Sequence, residues 1–390
     1  MPQSLKFPVP KTWTPQFLHA VVLTRSALDV YETLDARKSA LAAPIMPIPE
    51  NIVVKPVDVP RIPSPRLEET VSGSISAEWH ELKELKEDAP IVIYFHGGGY
   101  VAGHVAGHRS QTFPLALRGL SVLSVDYRLA PENPHPAAIT DARSVWKWVL
   151  STGHLPKNVV FSGDSAGGGL TYALSLYLRD IGEELPAGLA CITPYVDLSL
   201  QSPTHNLLDE FQLCILTKQA LEHSTKRGYG GAAHHKLKTE PYYSPVFGSV
   251  TKAKLPPQLI VTGTVDLFYA DCMAMALRRS HGGETVRLEI YENRNHDFQM
   301  SDNSPLGPLC QDRIAAFIKQ VCSSSAEPIT TQLLIVHDTE SPTISELGRK
   351  DVVSRLSDLV NRWKADSRFG SVAEIDGAPS QYEAIVKGEV

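Results

Sequence analysis

The chain has 390 residues, enough for one large α/β domain with additions or for two ordinary domains; 43% are hydrophobic and 21% charged, the balance of a globular protein rather than a disordered one. A net charge of -6, with a pI near 6.2 and a mean hydropathy of -0.11, offers no basic field to a nucleic acid or an anionic lipid surface. No apolar run is long enough to span a bilayer.

The opening residues, MPQSLKFPVPKTW, carry prolines where a secretory signal needs a basic start and an uninterrupted apolar stretch. Cys191, Cys214, Cys272, Cys310 and Cys322 are odd in number and far apart, with no C-x-x-C spacing for zinc or redox chemistry. There is no N-x-[ST] acceptor with a permitted middle residue and no retention tetrapeptide at the KGEV end. These features lead us to expect a cytoplasmic protein. A homo-oligomer is compatible with them.

In chain order, Thr14 and Pro15 read as the cap and first residue of a helix. Phe17, Leu18, Val21, Val22, Leu28, Tyr31 and Leu34 then recur at roughly helical spacing, so residues 1–50 form an N-terminal cap segment in this reading. IVVKPVDV and TVSGSISAEW predict two extended strands forming an antiparallel edge. From Ile91 the pattern changes to short, continuous apolar runs separated by helix-compatible segments. The runs are IVIYF, SVLSVDY, NVVFSG, LACITPY, QLIVTG and VRLEIYE, with helices expected over PAAITDARSVWKWVL and AGGGLTYALSLYLRD. That succession predicts a mostly parallel, doubly wound α/β sheet covered on both faces, spanning residues 51–322.

The stretch from Pro194 to Leu255 exceeds what a simple crossover needs and reads as an insertion beside the site. After the helix-like PLCQDRIAAFIKQVC, the polar SSSAEP marks a boundary. Residues 323–390 then form a C-terminal α/β appendage. QLLIVHD predicts a strand, and Thr343-x-x-Glu346 reads as a capping box opening a helix to about Lys364 with Val352, Leu356, Leu359 and Trp363 as its apolar stripe. The polar residues after Ser371 are the part of this appendage most compatible with disorder.

The segment GDSAGG places G-x-S-x-G directly after a strand and directly before a helix. A tight strand-to-helix turn needs small neighbours and presents its central hydroxyl above the sheet edge, which makes Ser165 the candidate nucleophile. The helix that follows aims its N-terminal N–H groups at the point where an oxyanion forms. HGGGY, His96 to Tyr100, follows the strand IVIYF, and three glycines let backbone N–H groups face a cavity without Cβ obstruction. The Gly97-Gly98-Gly99 amides with that of Ala166 are candidate oxyanion donors.

A serine hydroxyl needs a base. His296 follows the strand VRLEIYE in a short polar loop, and Asp266 follows QLIVTG at a carboxyl strand end, giving the chain order Ser165, Asp266, His296. Asp271 is the rival acid, placed inside the next helix by its position. Asp164, adjacent to the serine, suits a supporting hydrogen bond better than orientation of the histidine.

Together HGGGY, DYRLAPENPHPAA, GDSAGG, VDLFYAD and HDF resemble the hormone-sensitive-lipase-like esterases of the α/β-hydrolase fold, over about Asn51 to Cys322. The resemblance implies a carboxylesterase with Ser165 as nucleophile, His296 as base and acid, Asp266 as orienting carboxylate and Gly98, Gly99 and Ala166 as oxyanion hole. It also implies an N-terminal cap over the acyl pocket. The chain departs from the family in His296-Asp297-Phe298, where relatives commonly have H-G-F, and in Leu267, where a proline often follows the aspartate. No counterpart to residues after Ser323 is recognisable.

The expected reaction is cleavage of a small-molecule carboxylic ester through an acyl-enzyme, requiring no metal or organic cofactor, with activity rising through an apparent pKa of about 6–7.5. Two other readings use the same residues. One is acyl transfer, lactonisation or another biosynthetic step; the other is a non-catalytic receptor, as the plant gibberellin receptors are on a related fold with an impaired triad.

Overall fold

Successive residues of a strand face opposite sides of its sheet, so a strand apolar at every position can be buried only where both sides are covered. Strand β3 (Ile91–Phe95) is of this kind, with all five residues buried. A computed structural model of the chain describes residues 9–30, 46–67, 71–209, 212–365, 379–387 and 389. Its strands are β1 (Ile52–Pro60), β2 (Ser74–Leu82), β3, β4 (Ser121–Val125), β5 (Val159–Asp164), β6 (Gly188–Ile192), β7 (Gln258–Gly263), β8 (Val286–Tyr291), β9 (Gln332–Val336) and β10 (Ile344–Glu346).

Among the described residues these strands make one ten-stranded sheet in the order β1-β2-β4-β3-β5-β6-β7-β8-β9-β10. β1 and β2 form the expected antiparallel edge, and β2 meets β4 antiparallel. From β4 across to β9 all neighbours run parallel. Alternation divides the core. Ile91, Ile93 and Phe95 pack with Phe161, Trp146 and Leu170 on one face, while Val92 and Tyr94 pack with Val160, Val261 and Ile318 on the other.

The helices are α1 (Pro15–Val30), α2 (Arg109–Leu117), α3 (Ala137–Ser151), α4 (Ser165–Ile181), α5 (Pro203–Leu207), α6 (Lys218–Glu222), α7 (His234–Leu237), α8 (Tyr269–His281), α9 (Leu306–Cys322), α10 (Arg349–Ala365) and α11 (Pro379–Lys387). Residues of α3, α4, α8, α10 and α11 join the first core, and residues of α1, α2 and α9 join the second. No helix among the described residues is long and apolar enough to cross a membrane.

Helix α1 starts where expected, with Thr14 Oγ1 accepting the Phe17 N–H at 3.1 Å. Its buried face is Phe17 and Val21, whereas Leu18 and Val22 are half-buried. Tyr31 and Leu34, and the Leu28 side chain, lie outside the described residues. Arg25 pins the helix to the insertion by donating to the Cys214 and Leu216 carbonyls, at 3.0 and 2.8 Å, and to the Asp209 carboxylate at 2.9 Å. That insertion carries α5, α6 and α7 between β6 and β7.

Residues beyond Ser323 continue the same sheet: β9 lies parallel beside β8, and β10 returns antiparallel to β9. The expected capping box at Thr343 and Glu346 is not formed. Ile344–Glu346 is β10, because pairing with β9 satisfies its backbone and overrides the local signal. Helix α10 opens instead at Arg349, where Asp351 accepts the Gly348 N–H at 2.7 Å. Val352, Leu356, Leu359 and Trp363 are its buried stripe, as the spacing predicts. Of the polar residues after Ser371, Pro379–Lys387 form α11, while 372–378, with 366–371 before them, lie outside the described residues.

Candidate active site

The carboxyl ends of β3, β5, β6, β7 and β8 converge on one cavity of about 400 Å³, lined by Gly98, Gly99, Ser165, Phe268, His296 and Asp297 among others. Its remaining wall comes from Ala20, Leu23 and Thr24 of α1 and from Ile215, Leu216, Ala220, Leu221 and Ser224 of the insertion. Helix α1 and the insertion therefore shape the space beside the serine.

Ser165 sits between β5 and α4 with φ of 52°, a left-handed conformation costly for a residue with a Cβ. Close packing enforces it. A Cβ on Gly167 would lie 1.9 Å from the Phe95 carbonyl oxygen, and one on Gly163 would lie 2.5 Å from the Gly167 backbone. Only glycine lets the turn seat this deeply against β3. Ala166 is the second residue of α4, where an N–H has no partner inside the helix.

The glycine loop after β3 is held in an equally specific shape. Gly98 has φ of 113°, a Cβ there would lie 2.2 Å from the Ala102 carbonyl oxygen, and the Gly98 carbonyl accepts from Val101 and Ala102, both at 3.1 Å. Neither the Gly98 nor the Gly99 N–H is used by a backbone bond among the described residues. Tyr127 braces the loop by stacking on His96 at 4.4 Å and donating to the His96 carbonyl at 2.7 Å.

Asp164 is bonded to groups other than His296. Its carboxylate accepts from Tyr94 Oη at 2.7 Å and approaches His108 Nε2 at 3.6 Å. Burial works to raise its pKa, but His108 and Tyr94 together outweigh that and hold it low. The supporting role expected of Asp164 has this physical form.

His296 Nδ1 lies 3.1 Å from Asp266 Oδ1 and 3.2 Å from Oδ2, both residues being buried. Asp266 also accepts the Phe268 N–H at 3.0 Å, and the Phe268 ring meets His296 edge to face at 4.9 Å. The rival Asp271 is elsewhere: in α8 it accepts from Tyr382 Oη at 2.8 Å and lies 3.2 Å from His205 Nε2. Tyr382 Oη also lies 2.8 Å from an Asp197 carboxylate oxygen, so α11 enters a buried carboxylate cluster.

The loop carrying His296 is anchored by side chains from both ends of the chain. Trp13 Nε1 donates to the Asn293 carbonyl at 2.6 Å. Arg294, buried, donates to Asp302 at 2.6 Å and to Asp338 at 3.0 Å, and Asp338 also accepts from Asn293 Nδ2 at 3.0 Å. Thr12 completes the set by donating to Asp338. No local pattern announces these contacts, because an arginine inside NRNHDF reads as a solvated loop residue until its distant carboxylates are placed.

His296 Nε2 has no hydrogen-bond partner among the described residues, so no bond joins it to Ser165 in this arrangement. Asp297 Oδ2 stands 3.2 Å from that nitrogen. Burial pushes the His296 pKa down, but Asp297 and Asp266 outweigh it and bring it up to about 9. That differs from the range of about 6–7.5 expected for a histidine little perturbed by its neighbours, and the flanking carboxylates, Asp297 with Asp266, are the reason.

Comparison with known proteins places these features in company. Residues 92–300 match the family described as alpha/beta hydrolase fold. An acetyl-hydrolase of Streptomyces hygroscopicus is 32% identical over 225 residues, covering 57% of this chain and 72% of its own. An esterase of Acinetobacter venetianus is 31% identical over 225 residues, 56% of this chain and 71% of its own. The crystal structure of an esterase from the bacterial hormone-sensitive lipase family superposes with a TM-score of 0.69 at 27% identity, over 80% of this chain and 99% of that one.

Proposed function

The chain belongs to the α/β-hydrolase fold family and is an ester-cleaving hydrolase, and on that premise we propose that Ser165 is its nucleophile, His296 its general base and acid, and Asp266 the carboxylate that holds the imidazole. One observation carries this reading: a serine held in a left-handed strand-to-helix turn shares a cavity with a histidine whose far nitrogen is bonded to a buried carboxylate.

Neutral His296 takes the Ser165 proton at Nε2 as Oγ bonds to the ester carbon and the carbonyl pair moves onto oxygen. Gly98, Gly99 and Ala166 present N–H groups to that oxygen; one such donor is worth about 2.7–4 kcal/mol at the transition state. The proton then passes from Nε2 to the departing alkoxide, leaving an acyl-serine that water resolves in the same manner.

The substrates we assign are small carboxylic esters with short acyl groups. A cavity of about 400 Å³ with apolar walls from α1 and the insertion suits that size, and relatives named acetyl-hydrolase and ethyl acetate hydrolase share the matched segment. A reducing compartment such as the cytosol fits the five free thiols. Labelling with a fluorophosphonate, followed by peptide mapping, tests the nucleophile. The label belongs on Ser165 alone; label on another serine, or full p-nitrophenyl acetate turnover by Ser165→Ala, overturns the assignment.

A further inference from the structure

His296 has a carboxylate at each ring nitrogen, Asp266 at Nδ1 and Asp297 at Nε2, 3.1 and 3.2 Å away. The second is an ion-pair approach without hydrogen-bond alignment, since Nε2 has no hydrogen-bond partner among the described residues. Its geometry is built. Asp297 takes a left-handed backbone, φ 51° and ψ 33°, and Thr193 Oγ1 donates to its Oδ1 at 2.5 Å, turning Oδ2 toward the ring. A side chain in that backbone region is disfavoured without compensation.

Nε2 is the atom to which the mechanism assigns the serine proton. We propose that Asp297 is a positioning residue that holds His296 as its imidazolium in the resting site, so that the base is competent only after that proton leaves to solvent. The proposal rests on the assignment of His296 as base. Asp297 is assigned no proton to accept in the reaction; its contact is with the His296 ring, at 3.2 Å from Nε2. In the resting form Nε2 carries its proton beside a negative Asp297; hydroxide removes that proton as water, and the neutral ring then takes the proton of Ser165. The imidazolium formed during attack has the same carboxylate beside it, so Asp297 sets the pH at which activity appears more than the rate finally reached.

Other groups around the pair set the sign. Asp266 from the loop after β7 and Asp164 from the serine turn are negative, and His108 beside Asp164 opposes them. Tyr94 of β3 and Cys214 of the insertion also face this centre, and burial keeps both in their protonated forms. Burial pushes Asp297 up while the adjacent His296 pulls it down, and the same contact, with Asp266, holds His296 up, so each member of the pair favours the charged form of the other. Activity that needs a neutral ring therefore rises as pH passes through about 9.

The test is kcat/KM against pH for the unmodified enzyme, Asp297→Asn, Asp297→Gly and His296→Ala. Both Asp297 variants are expected to move the acid limb down by roughly one to two pH units, with a plateau within a few-fold of the original. Glycine accepts the left-handed backbone, which keeps the comparison available should asparagine fail to fold. A purely structural role lowers activity at every pH with no shift, and an unmoved limb in a folded variant overturns the proposal. Imidazole 15N shifts of His296 in the unmodified enzyme, assigned by their loss in His296→Ala, give a second reading; a neutral ring at pH 7 also overturns it. If His296→Ala retains ester turnover, the assignment of the base falls instead.

Discussion

Ser165 and His296 are held in place by different means. The serine is fixed by backbone: β5, one turn and α4, within residues 159–181, press against β3 so closely that Gly163 and Gly167 leave no room for a methyl group. The histidine is fixed by side chains from far away, with Trp13 lying 280 positions before its partner and Asp338 lying 44 positions after Arg294. Backbone packing inside one β–α unit is set as soon as that unit forms. A buried arginine shared between two carboxylates depends on elements that must first be brought together, and losing one partner leaves the others imperfectly satisfied.

The largest expected effect distinguishes the two aspartates near the histidine. Asp266→Asn is expected to lower kcat by about 10⁴-fold, because the amide no longer selects the tautomer with Nε2 free. Asp271→Asn should lower the melting temperature and leave kcat within a few-fold, since its partners are Tyr382 and His205. Steady-state kinetics with thermal melts decide this, and equal kinetic losses would move the orienting role to Asp271.

Gly167→Ala is the direct attack on the backbone-built side. A methyl group 1.9 Å from the Phe95 carbonyl oxygen should cost about 3 kcal/mol or leave the protein insoluble. Urea titration reads the difference, and an unperturbed variant would show that the turn is looser than described. On the side-chain-built half, Asp338→Asn is expected to reduce kcat/KM about 10–100-fold while fluorophosphonate still reaches Ser165, as misplacing a catalytic group by about 1 Å has that effect. Unchanged kinetics would mean that Asp302 alone holds Arg294. Smallest is Trp13→Phe, which loses one hydrogen bond to Asn293 and keeps most of the ring packing; about 1 kcal/mol of stability is at stake, measurable as a shift in denaturant midpoint.

What the sequence makes legible follows the same division. The runs from Ile91 to Glu292 announce their strands because a doubly covered sheet demands apolar residues at every position. The surroundings of Ser165 are readable in G-x-S-x-G because the constraint lies within five residues. Asp266 and His296 are approachable because parallel sheets gather loops at their carboxyl ends. The Thr343 signal misleads, since the pairing of β10 with β9 is decided by the arrival of another strand. Arg294 and Thr193 are invisible because their partners are fixed only by tertiary structure. Asp297 is noticeable as a departure from H-G-F, but its bearing on the histidine depends on a distance that no spacing encodes.

The anchorage of Arg294 by Asp338 also sets an order in time. A chain emerging from the ribosome exposes the serine turn first, then the loops of Asp266 and His296, and only afterwards the strand β9 that brings Asp338 to them. Chains grow by about 5–20 residues per second and fold from the N-terminal side, so the site passes through a stage in which Ser165, Asp266 and His296, the proposed triad, all exist while the Asp338 carboxylate steadying the histidine loop does not. On those proposed roles, a stalled or clipped product that holds all three residues and lacks Asp338 is expected to be a poor hydrolase.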